Sequence, residues 1–432
     1  MSEKSVTVDY VSRVEGQGAL NIQVSADGEV KEAQLRIFEP PKFFESFLVG
    51  RKFDEVMELT SRICGVCPVA HQITALRAVE NAMGITVSDQ TRDLRKLFAL
   101  SAHINSNVLN MYFFAVPDLL GYESAVAMIK DYPHIVKRGL KLKKLGNDLT
   151  DLIGGKAVHP VTAVVKGFTK IPSKKNIDMF KKRFKEAKKD ALETVGMFAK
   201  LEIPEFTRKC EHVALSNSKE YAINEGRIVS TEGLNIEESA YRQCFMEKQV
   251  PYSYAKHSFV VGRDSFMVGP LARVNLNFNS LSEDAKEVAK GASSHKFPNF
   301  NPFVAHIARA IELVHDIDEC IEIMDHLPLE DEDRTVKVKE GEGFAVTEAP
   351  RGLLYHHYKI NKDGIVTAAD IVTPTAHNVN NIEKDLQHLV PKFLHLPSEK
   401  IALKCEMLIR AYDPCISCST HFLKVNIRRG KR

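Results

Sequence analysis

No run of about 18 uninterrupted apolar residues occurs in this chain of 432 residues, so nothing in it reads as a membrane-spanning helix. A charged-then-apolar leader is also missing: Met1-Ser2-Glu3-Lys4 passes straight into a strand-like segment. That predicts a cytoplasmic chain with reduced thiols, in which paired cysteines mean metal or redox chemistry rather than staples. Gly/Ser-rich linkers, low-complexity tracts and internal repeats are absent, which argues against modules on a string. No Gly-x-Gly-x-x-Gly follows a strand, so flavin or nicotinamide is not expected to bind here. A surplus of one charge sign is lacking too. The net charge of +3 gives no global pull toward nucleic acid or a membrane surface. Two basic stretches read as solvated helix faces: 137–144, which carries no interleaved aromatics for base stacking, and the lysine-rich segment 173–200.

What is present is an ordinary globular composition, 44% hydrophobic and 27% charged. The length exceeds the roughly 250–300 residues at which single cores stop growing, so one large body with an appended layer, or two fused lobes, is expected. Leu20, Ile22 and Val24 alternate, Asp27-Gly28 turns, and Val30, Leu35 and Ile37 return as a hairpin. Residues 353–360, Asp363-Gly364 and Ile365-Val366 predict a second hairpin. Between them the pattern is helical. Asn301 and Pro302 open a helix with the stripe Phe303, Ile307, Ile311, Val314, Ile317, Ile321 and Met324, and Ser173 opens another carrying Phe180, Phe184, Ala187 and Val195. Cys67 opens a third, which Gly84 ends. The expected class is mainly α with small β layers (α+β). A β-rich layer spans 1–50, a helical core 51–335, a hairpin and C-terminal segment 336–421, and an extension 422–432.

Of eight cysteines, Cys210, Cys244, Cys320 and Cys405 stand alone, and Cys320 falls on an apolar helix stripe as a small buried hydrophobe. The other four form two Cys-x-x-Cys pairs at opposite ends, Cys64/Cys67 and Cys415/Cys418. A two-residue spacer lets both sulfurs meet one ion, and thiolates select soft metals such as zinc, nickel, copper(I) or iron. On spacing alone a structural zinc tying the termini together is open. Against it stand the ionisable neighbours Arg62, His71, Asp413 and His421, which a purely structural site does not require and which suggest that protons and electrons are managed there.

Arg62-x-Cys64-Gly65-x-Cys67-x-x-x-His71 and Asp413-Pro414-Cys415-x-x-Cys418-x-x-His421 resemble the two nickel-site motifs of the nickel-iron hydrogenase large subunit. Arg13-Val14-Glu15-Gly16, Phe43-Phe44-Glu45 through Gly50-Arg51, Glu348-Ala349-Pro350-Arg351-Gly352 and Thr373-Pro374-Thr375 extend the likeness over nearly the whole chain in family order. It is similar above all to the cytosolic, multimeric, NAD(P)-linked branch with the sulfhydrogenases. The resemblance implies a helical core flanked by β-hairpins and reversible oxidation of H2. Cys64 and Cys415 would be terminal nickel ligands, and Cys67 and Cys418 would bridge nickel to an iron carrying CO and cyanide. Glu15 would carry the proton from Cys415, and Arg351 would face the open metal position, ion-paired with Asp413. Thr375 would hydrogen-bond a cyanide, with Pro350 and the Arg351 backbone around the other diatomics and His71 supporting the metal ligands. Glu45, the Ile371 carbonyl and His421 would hold magnesium or iron. Implied partners are an iron-sulfur small subunit, since no cysteine quartet is left for a cluster, flavin/iron-sulfur diaphorase subunits, nickel-insertion factors and a maturation protease acting after His421.

Three positions depart from the better-known pattern. Asn105-Ser106-Asn107 replaces His-Asp-His, and Ser106 cannot supply the missing carboxylate. Residues 422–432 follow His421, and Thr373 sits where an apolar residue is usual. The alternative reading is a non-catalytic or quinone-site relative like the complex I subunit, with a structural zinc on the four cysteines or no metal. Such a homologue has lost the quartet that this chain keeps.

Overall fold

Local patterns hold at both ends of the chain in a computed structural model that describes residues 4–40, 43–292 and 295–420. Strands Lys4–Val8, Gly18–Val24 and Val30–Ile37 form an antiparallel sheet. Its buried face carries Leu20, Ile22, Leu35 and Ile37, as the alternation predicts. The Asp27-Gly28 turn closes the hairpin, with Ser25 N donating to Glu29 O at 2.9 Å. Near the other end, Gly341–Ala349, Gly352–Ile360 and Val366–Val372 form a second antiparallel sheet, one strand more than the predicted hairpin.

Between them lies the helical body. Ser173 caps Lys174–Phe198 by accepting from Asn176 N, and Asn301 accepts from Phe303 N to start the turn leading into Ala305–His326. The latter helix is buried on every side from Ala305 to Ile317, so the other helices wrap it. Helix Asp89–Val108 packs along it and continues through a π-helical stretch, Leu109–Ala115. The two basic segments lie on Pro133–Gly154 and Lys174–Phe198 and face each other's acids: Lys141 pairs with Asp190 at 2.6 Å and Arg138 with Glu193. They are solvated faces, as predicted.

The 51–335 segment also contains strands that its helical reading does not anticipate. Glu211–Ser216, Arg227–Ser230, Asn235–Ile236 and Phe266–Met267 make a four-stranded sheet, and Phe245–Lys248 pairs with His257–Val260. These strands are short, and Glu211–Ser216 is buried on both faces, so no alternation announces it. They share a core with the C-terminal sheet through Val213, Leu215, Phe245, Val346 and Leu353. That sheet also lies directly on helix Pro68–Met83. A Cβ on Gly343 would stand 2.1 Å from Ala78 O, so glycine is what lets strand and helix approach.

The N-terminal sheet is held to the body partly by Glu383, whose carboxylate accepts from Leu35 N and from Tyr252 Oη, each at 2.8 Å. Burial pushes its carboxyl up to about 7. An exposed Glu titrates near about 4.3, so the folded chain keeps this proton to higher pH than the unfolded one. The contribution is full below about pH 4 and is lost as pH rises through about 7, at most about 4 kcal/mol. Glu383→Gln, which keeps an acceptor for Leu35, is expected to flatten this part of the pH dependence. Thermal unfolding of parent and variant between about pH 5 and pH 8 checks it; parallel curves would remove Glu383 as the source.

Candidate metal centre

Each cysteine pair is delivered by the end of a helix. Cys67 is the N-cap of Pro68–Met83, and Pro68 at the first helical position has no amide hydrogen to leave unmet. Cys64 sits one turn earlier, its sulfur accepting from Val66 N at 3.3 Å. On the opposite side helix Ser398–Tyr412 stops at Asp413, which takes the left-handed conformation (φ 57°) that Asp tolerates better than most residues. Pro414 prevents the helix from resuming, and Cys415 enters the centre, followed by the short helix Ile416–Ser419.

The four sulfurs converge. Cys64 and Cys415 lie 3.1 Å apart, Cys67 and Cys418 3.2 Å, Cys415 and Cys418 3.0 Å, and Cys67 and Cys415 3.9 Å. These are well beyond the ~2.05 Å of a disulfide, so none of the four is bridged, and each is no more than 5% exposed. Hydrogen bonds from the Cys415, Cys418 and Cys67 sulfurs hold the Cys64 thiol well below its ordinary range, while burial pushes Cys415 and Cys418 well above theirs. A dry pocket cannot carry four thiolates without a compensating cation. A soft metal supplies that charge, so the donor set fits one.

Glu15 reaches the same sulfurs from the N-terminal layer. Its backbone carbonyl accepts from Ile416 N, and its carboxylate accepts from Ser417 N, both at 3.0 Å. Burial and the Cys64 charge raise its pKa, opposed by hydrogen bonds from Ser417 and Cys415 and by the charge of Arg351. Gly16 makes the approach possible: at φ +88° a Cβ there would stand 2.9 Å from Ser417 N.

Pro350 and Arg351 are the two-residue turn of the C-terminal hairpin, which holds Arg351 over the centre. Its Nε donates to Asp413 O at 2.9 Å, its Nη2 to Asp413 Oδ1 at 3.2 Å, and its Nη1 to the Ser106 hydroxyl at 3.1 Å. Burial works against the guanidinium charge, but Asp413 and the Cys415, Cys67 and Cys64 sulfurs raise its pKa further, so it stays charged. Ser106 therefore takes part as a neutral acceptor, while the carboxylate comes from Asp413. Thr375 is committed to Cys415: its hydroxyl accepts from Cys415 N at 2.8 Å and donates to Cys415 O at 3.0 Å. His71 is fully buried on Pro68–Met83, with Nδ1 3.1 Å from His356 Nε2.

With this geometry established, similarity decides the family. The nickel-dependent hydrogenase pattern matches residues 42–138 and 217–421, and a HoxL-like pattern matches 5–39. The chain belongs to the nickel-dependent hydrogenase family. The sulfhydrogenase 1 alpha subunit of Pyrococcus furiosus is 37% identical over 426 residues, 97% of this chain and 98% of that one. The beta subunit of the NAD-reducing hydrogenase HoxS of Cupriavidus necator is 28% identical, covering 98% and 96%. A solved NAD+-reducing NiFe-hydrogenase in its H2-reduced state superposes with a TM-score of 0.89 at 26% identity, covering 97% and 99%. The protein is a hydrogenase catalytic large subunit, about half helical with small sheets, and the zinc-tie and quinone-site readings are not favoured.

In this hydrogenase subunit two residues of the second predicted metal position, Glu45 and Ile371, lie together. Glu45 Oε1 accepts from Ile371 N at 2.6 Å, and His421 lies outside the described residues. Burial pushes the Glu45 carboxyl up to about 9, with Asp370 adding to it. Acidic oxygens crowded this way fit a hard cation.

The motifs do not reveal what steadies Arg351 from beneath. Arg273, fully buried, grips Glu312 through two nitrogens at 2.6 and 2.8 Å, reaches Glu348 at 3.1 Å and donates to Ala349 O and Pro350 O. Only Glu348 had a signal, as the first residue of the Glu-Ala-Pro-Arg-Gly motif. Arg273 and Glu312 are lone charges on helices and look like any surface pair until the fold is known.

Proposed function

We propose that the four-cysteine centre holds nickel and iron, the iron carrying CO and cyanide, and that Glu15 and Arg351 are the protein groups serving H2 oxidation and its reverse. The observation that carries this reading is the meeting of two such groups at one buried cysteine cluster. Glu15 is bridged to Cys415 through the backbone with its carboxylate on Ser417 N, and Arg351 is fixed by Asp413 and Ser106 where the charges of Cys415, Cys67 and Cys64 act on it. When bound, the metal pair supplies Lewis acidity and takes up the two electrons of H2. The residues handle the rest. Cys415 Sγ accepts a proton, Glu15 receives it across their hydrogen bond and passes it outward past Ser417. Arg351, kept charged by Asp413 and oriented by Ser106, presents a fixed cation that polarises H2 without reorganising. Thr375 holds Cys415 in place through its backbone, and Thr373, whose buried hydroxyl has no protein partner among the described residues, offers the freer donor to a diatomic ligand.

Glu45 and the Ile371 carbonyl, with His421, would hold magnesium or iron where the N-terminal layer meets the C-terminal segment. Electrons pass to an iron-sulfur small subunit, and thence to NAD(P) through diaphorase subunits, a reading supported by likeness to NAD-reducing and sulfhydrogenase relatives. No helix among the described residues is long and apolar enough to cross a membrane. A cytoplasmic site of action goes with these partners, and nickel-insertion factors and a protease removing 422–432 would complete the centre. Metal analysis and infrared spectroscopy of the purified complex test the reading. One nickel per chain with CO and cyanide bands is expected; stoichiometric zinc without those bands would sink it.

A further inference from the structure

A seam of unpaired polar atoms lies between helices Asp89–Val108 and Ala305–His326. Asp316 is 1% exposed, yet neither carboxyl oxygen has a protein hydrogen-bond partner among the described residues. The same holds for Arg309 Nε and Nη2, Asn107 Oδ1 and His103 Nδ1. His103 Nε2 lies 2.8 Å from Glu348 O and donates to it, and burial holds the ring's pKa down to about 3, so Nδ1 is left as a bare acceptor. A small void of about 10 Å³ lined by His103, Glu348 and Pro350 has room for about one water. Buried polar atoms lacking protein partners are the usual holders of ordered water.

Both ends of the seam lead somewhere. At the inner end Ser106 takes the hydrogen bond from Arg351, and its neighbour Asn107 lies 3.5 Å from Glu312. At the outer end Tyr221, Lys96, His315 and Glu319 line an open cleft of about 920 Å³. Tyr221 Oη donates to Glu312 at 2.8 Å, and Lys96 pairs with Glu319 at 3.1 Å. Glu312, Asp316 and Glu319 follow one another along a single helix face.

We propose that this seam is a second, water-filled proton route of the hydrogenase, running from the Ser106–Arg351 end of the centre past Asp316 to the Lys96–Glu319 cleft. The route shares no residue with the path through Glu15 and Ser417, and it rests on the functional reading above. In each passage the Asp316 carboxylic acid gives its proton to water on the cleft side and takes one from water on the inner side. One proton moves, O–H bonds alone are exchanged, and no electron is transferred. Burial, with Glu312 and Glu319 beside it and Arg273 and Lys96 opposing, raises the Asp316 pKa and keeps a proton on it.

Infrared spectroscopy of the intact complex tests the route independently of turnover. A buried carboxylic acid band lost in Asp316→Asn is expected, and in the parent it should shift on transfer to D2O within the mixing time, because water reaches the acid. A band that stays unshifted for hours means a sealed acid and overturns the proposal. In D2/H+ exchange, adding Asp316→Asn to Glu15→Gln should lower the residual rate at least about tenfold at unchanged nickel content, and Asp316→Glu should restore it. A double variant exchanging as fast as Glu15→Gln alone overturns the route. A parent complex that exchanges nothing overturns the functional reading instead, and the D2O response of the band then decides the seam by itself.

Discussion

Replacing Glu15 with Gln is expected to leave nickel and iron in place and to slow H2/D+ exchange by about a hundred- to ten-thousandfold, the usual worth of a positioned proton carrier. Gln keeps the acceptor that Ser417 N uses and a similar volume beside Gly16, so the loop 13–16 should hold its shape. What is lost is the proton. The raised pKa of Glu15 sharpens the expectation, because a carboxyl that holds its proton above the ordinary range can both take and give one nearer neutrality. Metal content and exchange are measured on the same preparation. Exchange at the parent rate with full metal would remove Glu15 from the proton path, whereas loss of nickel would show it to be a structural residue.

Arg351→Lys is expected to cost about 10²- to 10³-fold in rate, comparable to removing one preorganised charge-stabilising donor. A lysine keeps the positive charge but cannot make the three contacts of the guanidinium. Asp413, 1% exposed, would lose at least one of its partners, and Ser106 would lose its donor. The ammonium would follow Asp413 and leave the position beside the cysteine sulfurs. Nickel content should be unaffected, since no ligand has changed. The check is the rate of H2 oxidation per nickel, together with the infrared bands of the diatomic ligands. An unchanged rate would mean that charge alone, not its placement by the hairpin turn, matters.

Much of the architecture was legible because local patterns suffice for it. The Asp27-Gly28 hairpin, the Ser173 and Asn301 caps and the helix running from Cys67 to Gly84 rest on turn chemistry and periodicity within a few residues, and all are present. The strands between Glu211 and Met267 were not legible. They are too short, or too evenly buried, to show a period of two, and they exist because the C-terminal sheet offers Val346 and Leu353 to pack against. Thr375 shows the same limit at the site. The resemblance implies a hydrogen bond from it to a cyanide ligand, and only the fold shows that its hydroxyl also meets the Cys415 backbone.

The two Cys-x-x-Cys pairs by themselves defined a soft-metal site, because thiolate chemistry depends on residue type and close spacing, and their flanking motifs carried the resemblance to the hydrogenase family. The resemblance had already named Glu15 and Arg351; only the tertiary structure shows what brings them beside the cysteines. Glu15 meets Cys415 across 400 residues of chain because Gly16 has no side chain and the 415–417 segment can lie against it. Arg351 owes its place to Arg273 and Glu312, which are paired only after two helices and a hairpin turn have packed together. The unpaired atoms around Asp316 likewise have no signature in the sequence. Charge and polarity are written residue by residue, but whether a polar atom finds a partner is settled by what the rest of the chain places next to it.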